Sequence, residues 1–168
     1  MGERPSGRDE SEAERLDRNL GELLQELRVA LPGVQVLFAF LLAVPFQQGF
    51  TDITNFQKDV YFATLLLTAI SATLLIAPSA YHRLTFRMQQ KDHLLFLANR
   101  FAIAGLAALA LAMTLAIVLV TNVLFSTTAT VVTGGVAIGL FALFWFALPL
   151  KRRFSSDEEP DPPTQHSS

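Results

Sequence analysis

The sequence predicts an all-α polytopic membrane protein, with four transmembrane helices preceded by an amphipathic helix. Hydrophobic residues make up 51% of the 168-residue chain and gather into four long runs. A helix needs about 18 or more apolar residues to cross roughly 30 Å of hydrocarbon. From Leu94 to Leu150 the only charged side chain is Arg100. Such runs must be helical, because inside lipid the backbone has to satisfy its own hydrogen bonds.

Polar tails are predicted at both ends of the chain. Residues 1–14 are rich in Gly, Ser, Glu and Arg and are too polar to fold alone, so they are expected to be disordered. Their mixed charges do not fit the basic start of a secretory signal, which predicts that the first apolar run is retained. Residues 151–168 form a basic stop followed by an acidic, Pro-rich disordered tail. The transmembrane domain is therefore expected at residues 15–150.

A short amphipathic helix is predicted over residues 15–30, with a break or kink near Pro32-Gly33. Its charges are balanced, so it is not a polybasic lipid-binding segment. Two placements remain open: against the membrane surface or the protein's own inner face, or as a docking helix for a partner. Leucines recur at intervals of three and four, the spacing of one helical face: Leu16, Leu20, Leu23, Leu27 and Leu31.

Four apolar runs predict the four spans. Pro32 fits the first turn of the first span, where its missing N–H matters little. Pro78 should bend the last turn of the second span. The predicted spans cover residues 29–48, 60–81, 94–120 and 128–150.

Basic residues in short loops predict the orientation of the chain, because cytoplasmic loops carry an excess of Lys and Arg. On the side opposite to the termini, the spans are flanked by a single basic residue, Lys58. This asymmetry predicts that both termini and the middle connector are cytoplasmic. Nine basic residues flank the spans on the predicted cytoplasmic side: Arg15, Arg18, Arg28, Arg83, Arg87, Lys91, Lys151, Arg152 and Arg153.

Two stripes of small residues predict places where helices approach closely, because packing drives helix association in lipid. Two alternatives remain open: contact within a four-helix bundle, or contact between copies of the chain. The stripes consist of Ala104, Ala108, Ala112 and Ala116 in the third span and of Gly135 and Gly139 in the fourth.

Arg100 lies six residues after Leu94 and is therefore expected at shallow depth on the cytoplasmic side. It can snorkel to the interface. Alternatively it turns inward, bonds Gln35 at a similar depth and pairs with Glu26, because a guanidinium binds a carboxylate through two hydrogen bonds. The inward alternative predicts a buried polar cluster drawn from Glu22, Glu26, Arg28, Gln35, His82, Arg83 and Arg100.

The sequence predicts no catalytic, cofactor-binding or metal site. The chain contains no cysteine, which excludes thiolate ligands and thiol nucleophiles. No Asp or Glu lies inside a predicted span, which argues against carboxylate-based antiport, and no serine pairs with a base. His82 and His93 have only Asp92 nearby, too little for a metal site. His82 and Arg83 instead fit the negative C-terminal end of the second span's helix dipole.

These features favour a non-enzymatic protein that acts through helix assembly. The expected partners are the lipid bilayer and either further copies of the chain or a larger membrane protein, with neither a cofactor nor nucleic acid. The alternative is a small oligomeric ion or solute transporter or channel.

The stretches "ELLQELRVALPGVQVLFAFLLAVPF" and "APSAYHRLTFR" resemble a family of small actinobacterial four-span membrane proteins, a domain of unknown function. The resemblance covers residues 19–106 and implies residence in the bacterial cytoplasmic membrane. Some members carry a sodium/proton antiporter label, so the resemblance also implies cation/proton exchange as an expectation. The residues that carry it are Glu26-Leu27-Arg28, Gly33-Val34-Gln35, Pro45-Phe46, Ala77-Pro78, His82-Arg83, Phe86-Arg87 and Arg100.

Overall fold

The computed structural model describes residues 12–85 and 91–148, and over these residues its regular structure is entirely helical. Two short 3₁₀ turns, Val44–Phe46 and Phe50–Asp52, follow the first helix, and a π-helical segment, Ala142–Ala147, continues the last. The four long helices are α1 (Glu12–Ala43), α2 (Asn55–Thr85), α3 (Lys91–Leu124) and α4 (Thr127–Phe141).

All four helices contain segments long and apolar enough to cross a membrane, which confirms the predicted all-α fold with four helices of spanning length. Near-continuous apolar sequence gives them this character, and large apolar side chains such as Val29, Phe40 and Val131 are exposed on their surfaces. The candidate spans are Gly21–Phe46, Asn55–Tyr81, Phe96–Leu124 and Thr127–Ala147.

The first helix differs from the prediction, because α1 continues through Pro32-Gly33 for 32 residues. The predicted break was wrong: the amphipathic segment and the first span form one helix. A proline inside a helix removes one N–H donor and crowds the carbonyl four residues earlier, so other contacts must hold the helix together. Leu27 and Val34, seven residues apart on either side of the proline, pack into the same core, and these contacts favour continuation of the helix.

Three helices form the core of the molecule. Contacts join α1, α2 and α3 pairwise, whereas α4 contacts α3 alone among the described long helices. Among the described long helices, α4 therefore lies at the periphery of this three-helix unit. The core cluster of this three-helix unit comprises Leu27 and Val34 from α1, Leu75 from α2, and Ala102 and Leu109 from α3.

One continuous stripe of α2 is buried. Its members follow each other at intervals of three and four, the spacing that keeps one side of a helix against its neighbours. The middle of this stripe carries hydroxyl groups rather than hydrocarbon. The stripe consists of Tyr61, Thr64, Thr68, Ser71, Leu75 and Pro78.

Turn chemistry fixes the ends of the helices. The Thr54 hydroxyl accepts a hydrogen bond from the Gln57 backbone N–H, and the Gln57 side chain accepts one from the Thr54 N–H. This reciprocal pair is a capping box, which starts α2. The Ser126 hydroxyl accepts from the Ala129 N–H and starts α4. Gly49 lies between the two 3₁₀ turns of the α1–α2 connection and supplies the positive φ of 90° that this connection requires.

Candidate functional site

The polar groups within the apolar helices are the candidate functional features of this molecule. Arg100 is exposed on α3, and its guanidinium carbon lies 5.6 Å from the centre of the Phe96 ring. The two residues are one helical turn apart on α3, so the guanidinium can lie over the face of the Phe96 ring. This exposed position is the geometry that snorkelling requires.

The structure does not bring Arg100 to Glu26 or Gln35. Leu109, which packs with Leu27 and Val34 of α1 in the core cluster, is nine residues from Arg100. Nine residues are about two and a half helical turns, so Arg100 projects from the side of α3 opposite to α1. Val118 is 18 residues, or about five turns, from Arg100 and shares its side. That side faces α4, because Val118 lies against Gly134.

The other members of the predicted cluster are also dispersed. Glu22, Glu26, Arg28 and Gln35 are exposed on α1. Glu22 lies 4.0 Å from Arg18, one turn earlier on the same helix. The predicted buried polar cluster is therefore not assembled within one copy of the chain, since α1 turns its apolar stripe to the core. The side chains of two further members lie outside the described residues, and their role stays a prediction: His82 and Arg83.

Gln35 lies in α1 between Arg28 and Leu41. The Tyr61 hydroxyl donates a 2.9 Å hydrogen bond to the Leu41 carbonyl and fixes that level of α1 near the start of α2. Gln35 is six residues before Leu41 and seven after Arg28. At about 1.5 Å per residue it stands roughly 9 to 10 Å from each, midway between them. The expectation that Gln35 shares the level of Arg100 in the membrane stays a prediction.

The small residues of α3 and α4 take different roles. Ala108 and Ala112 are buried, Ala116 is half-buried, and Ala104 is exposed. The interhelical contact of α4 is made by Gly134, where an added methyl group would lie 2.7 Å from a Val118 methyl. Buried neighbours on the same side of α4 are Thr130 and Ala137.

Gly135 and Gly139 are exposed, and a methyl group added to either would meet nothing within 4 Å. Of the two alternatives left open, contact within the bundle is not seen for this glycine pair among the described residues. The reason is a shift of one residue: neighbouring positions on a helix project about 100° apart, so the contact with α3 uses Gly134 and turns Gly135 away.

Two core helices approach closely at Gly105, a position the sequence analysis did not single out. A methyl group added there would lie 2.8 Å from Cγ and Cδ2 of Leu75. The Ser71 hydroxyl donates a 2.8 Å hydrogen bond across the same interface to the Gly105 carbonyl. Serine and glycine at apolar helix interfaces are a known signal of close packing, and a search for them would have found this pair.

Buried hydroxyls line the interior beside this contact. Thr64 donates to the Val60 carbonyl at 2.7 Å, and Thr68 donates to the Thr64 carbonyl at 2.8 Å. Thr114 of α3 donates to the Ala110 carbonyl at the same distance. Each proton is held by a carbonyl one turn earlier, so these groups act as local helix contacts rather than as activated nucleophiles.

The end of the core beside the α1–α2 connection is held together by polar contacts between helices. Tyr61 is buried and also packs edge-to-face on Phe50, with ring centres 5.2 Å apart. The carbonyl it bonds, that of Leu41, lies four residues before Pro45, which has no N–H to offer it. The Gln57 amide donates to the Asn122 side chain at 3.0 Å and joins α2 to the end of α3.

Within the described part of the chain, no group of three or more His, Asp and Glu side chains is placed to hold a metal ion.

Comparison with known proteins places the chain in a family. No curated protein and no solved structure matches it. A match extends over residues 9–149, which include all four long helices and so nearly the whole of the described structure. The chain belongs to DUF6328, a family of unknown function.

Proposed function

We propose that this chain is an integral protein of a bacterial cytoplasmic membrane and is not an enzyme. It acts by assembling its helices with a further copy of itself or with a larger membrane partner. The observation that carries the proposal is the peripheral position of α4. This helix touches only α3 among the described long helices and leaves Gly135 and Gly139 uncovered.

An uncovered glycine pair in an apolar helix is suited to helix association. In lipid, apolar side chains gain nothing by leaving the hydrocarbon, so association depends on close packing and polar contacts. Glycines one turn apart let two backbones approach closely. Since the contact of α4 with α3 uses Gly134 instead, the Gly135/Gly139 side is available to another helix.

The experiment is a pair of substitutions on α4. Gly135→Leu with Gly139→Leu should reduce the oligomer in mild detergent, because the added side chains keep a second helix at a distance. Folding should be unaffected, since both positions are open within the chain. Light scattering of the purified protein–detergent complex measures the oligomer, and thermal unfolding measures folding.

The matched control is Val136→Leu, which adds bulk at a neighbouring exposed position on another side of α4. It should keep the native oligomer distribution. If the double glycine variant keeps both the native yield and the native distribution, the glycine side of α4 plays no part in assembly.

A second candidate function is transport by an oligomer. It is favoured by the line of buried hydroxyls on α2 and α3, which places polar oxygens in the interior of apolar helices. Against it, the described acidic residues of the candidate spans stand near their ends: Glu22, Glu26 and Asp59. A carboxylate at depth is the usual carrier of coupled cation and proton movement.

Reconstituted protein is therefore expected to leave an imposed pH gradient intact when sodium or potassium is added. A pH-sensitive dye inside the vesicles measures this. A cation-dependent collapse that Glu26→Gln abolishes would replace the assembly proposal with transport.

A further inference from the structure

Gln35 presents a polar side chain on the outward side of α1. It is exposed, and its side chain makes no hydrogen bond with any residue in the described part of the chain. The buried side of this helix is marked by Leu27, Val34 and Leu41 at intervals of seven. Gln35 projects about 100° away from Val34 and so stands beside, not within, the core contact.

The exposure of Gln35 matters because the residue lies far from both ends of its candidate span. It lies midway between Arg28 and the Leu41 carbonyl that Tyr61 bonds. Both ends of the candidate span, Gly21 and Phe46, are more than ten residues away. If the helix spans the bilayer as proposed, the amide stands near the middle of the hydrocarbon. A polar amide there is costly without a hydrogen-bond partner.

The surroundings of Gln35 leave room for a close neighbour. Ala39, one turn further along the same side, is small and exposed, and Leu42, a second turn further along that side, is exposed as well. Small residues beside a polar one make up the kind of helix surface that pairs closely in lipid.

We propose that a second copy of this chain docks on this side of α1 and that the two Gln35 amides hydrogen-bond to each other. The inference rests on the proposed self-assembly and names a surface for it, separate from the glycine side of α4. An amide carries both donors and an acceptor, so two of them complement each other.

The level of Gln35 along its span favours a second copy of the chain over a different partner protein. The basic residues of the chain predict a single orientation in the membrane. Copies with one orientation hold Gln35 at one level, so a two-fold axis along the membrane normal brings the two amides face to face. A different protein would need a matching polar group at that same level.

The chain's lack of cysteine allows a direct test in native membranes. In the full chain, Ala39→Cys should form a disulfide-linked dimer on mild oxidation, because cysteines join only when their Cα atoms are within about 7 Å. Phe40→Cys is the matched control, since it is exposed at nearly the same depth on another side of α1. It should form little dimer.

Adding Gln35→Leu to Ala39→Cys should weaken dimerisation roughly 3- to 20-fold, the range for one or a few hydrogen bonds between helices in lipid. Gln35→Asn, which keeps an amide, should retain more dimer. Thermal unfolding in detergent should show no loss of monomer stability for Gln35→Leu, because Gln35 has no partner within the described chain.

Three results would overturn the inference: no dimer with Ala39→Cys, equal dimer with Phe40→Cys, or unchanged dimer after Gln35→Leu. The α4 proposal is judged separately by Val132→Cys cross-linking, with and without the double glycine substitution. Cross-links through α4 without cross-links through α1 would leave assembly standing and remove only the Gln35 interface.

Discussion

At the scale of single residues, Gly105 sets the distance between α2 and α3. Because Gly105 has no side chain, Leu75 packs so close that a methyl group added there would clash with it. The Gly105 carbonyl also accepts a hydrogen bond from the Ser71 hydroxyl. Both contacts depend on one backbone position. A change there therefore acts on packing and on a hydrogen bond together.

We predict that Gly105→Ala destabilises the folded protein by about 1–3 kcal/mol, the usual result of forcing an extra methyl group into a well-packed core. Thermal or denaturant unfolding in detergent measures the loss. Gly33→Ala is the matched control, because it is also helical but meets nothing within 4 Å. Stability equal to that of the native protein for both variants would show that the helices separate easily at this point.

Hydropathy identifies an apolar helix well, but it does not identify which residues of that helix are buried against its neighbours. Gly134 and Gly135 are adjacent and chemically identical, yet one packs on Val118 and the other is open. Likewise, Arg100 and Gln35 suggested a contact by depth alone, whereas α3 places Arg100 opposite to α1. The rotation of each helix about its own axis is set by the helices that pack against it. Hydropathy along the sequence does not reveal this rotation.

At the scale of elements, the join between α1 and α2 depends on a proline. Pro45 has no N–H for the Leu41 carbonyl, and the Tyr61 hydroxyl takes that place. A bond across two helices thus replaces a bond within one. The four apolar helices themselves followed directly from the sequence because length and hydropathy suffice for them. The continuity of α1 did not, because contacts on both sides of Pro32 decide it.

We predict that Tyr61→Phe lowers stability by about 1–2 kcal/mol, since it leaves a buried carbonyl without a donor. The effect should shrink when Pro45→Ala is added, because the new N–H can serve the carbonyls at the end of α1. Unfolding of both single variants and of the double variant in detergent gives the coupling. Strictly additive losses would show that the proline and the tyrosine act independently.

At the scale of the whole molecule, the charge pattern of the sequence predicts one orientation in the membrane. Both Asn19, near the start of α1, and Thr51, in the connection between α1 and α2, are exposed. They are separated by the first candidate span, Gly21–Phe46. The proposed topology therefore assigns them to opposite sides of the membrane.

We predict that Thr51→Cys reacts with an impermeant maleimide in intact cells, whereas Asn19→Cys reacts only after the membrane is permeabilised. The chain has no cysteine of its own, so each label reports one site. Reaction of both from the outside, or of neither, would contradict the four-span arrangement.

The contact of α4 with α3 alone bears on how the protein is made. The ribosome delivers α1, α2 and α3 first, and these three helices already contain every residue of the core cluster. The nascent chain can therefore settle its interior while α4 is still being translated. In the proposed membrane arrangement, the last helix then packs on the completed three-helix unit through its buried residues Thr130, Gly134 and Ala137. Biogenesis in this protein can proceed in the order of synthesis, with no early helix waiting for a late one.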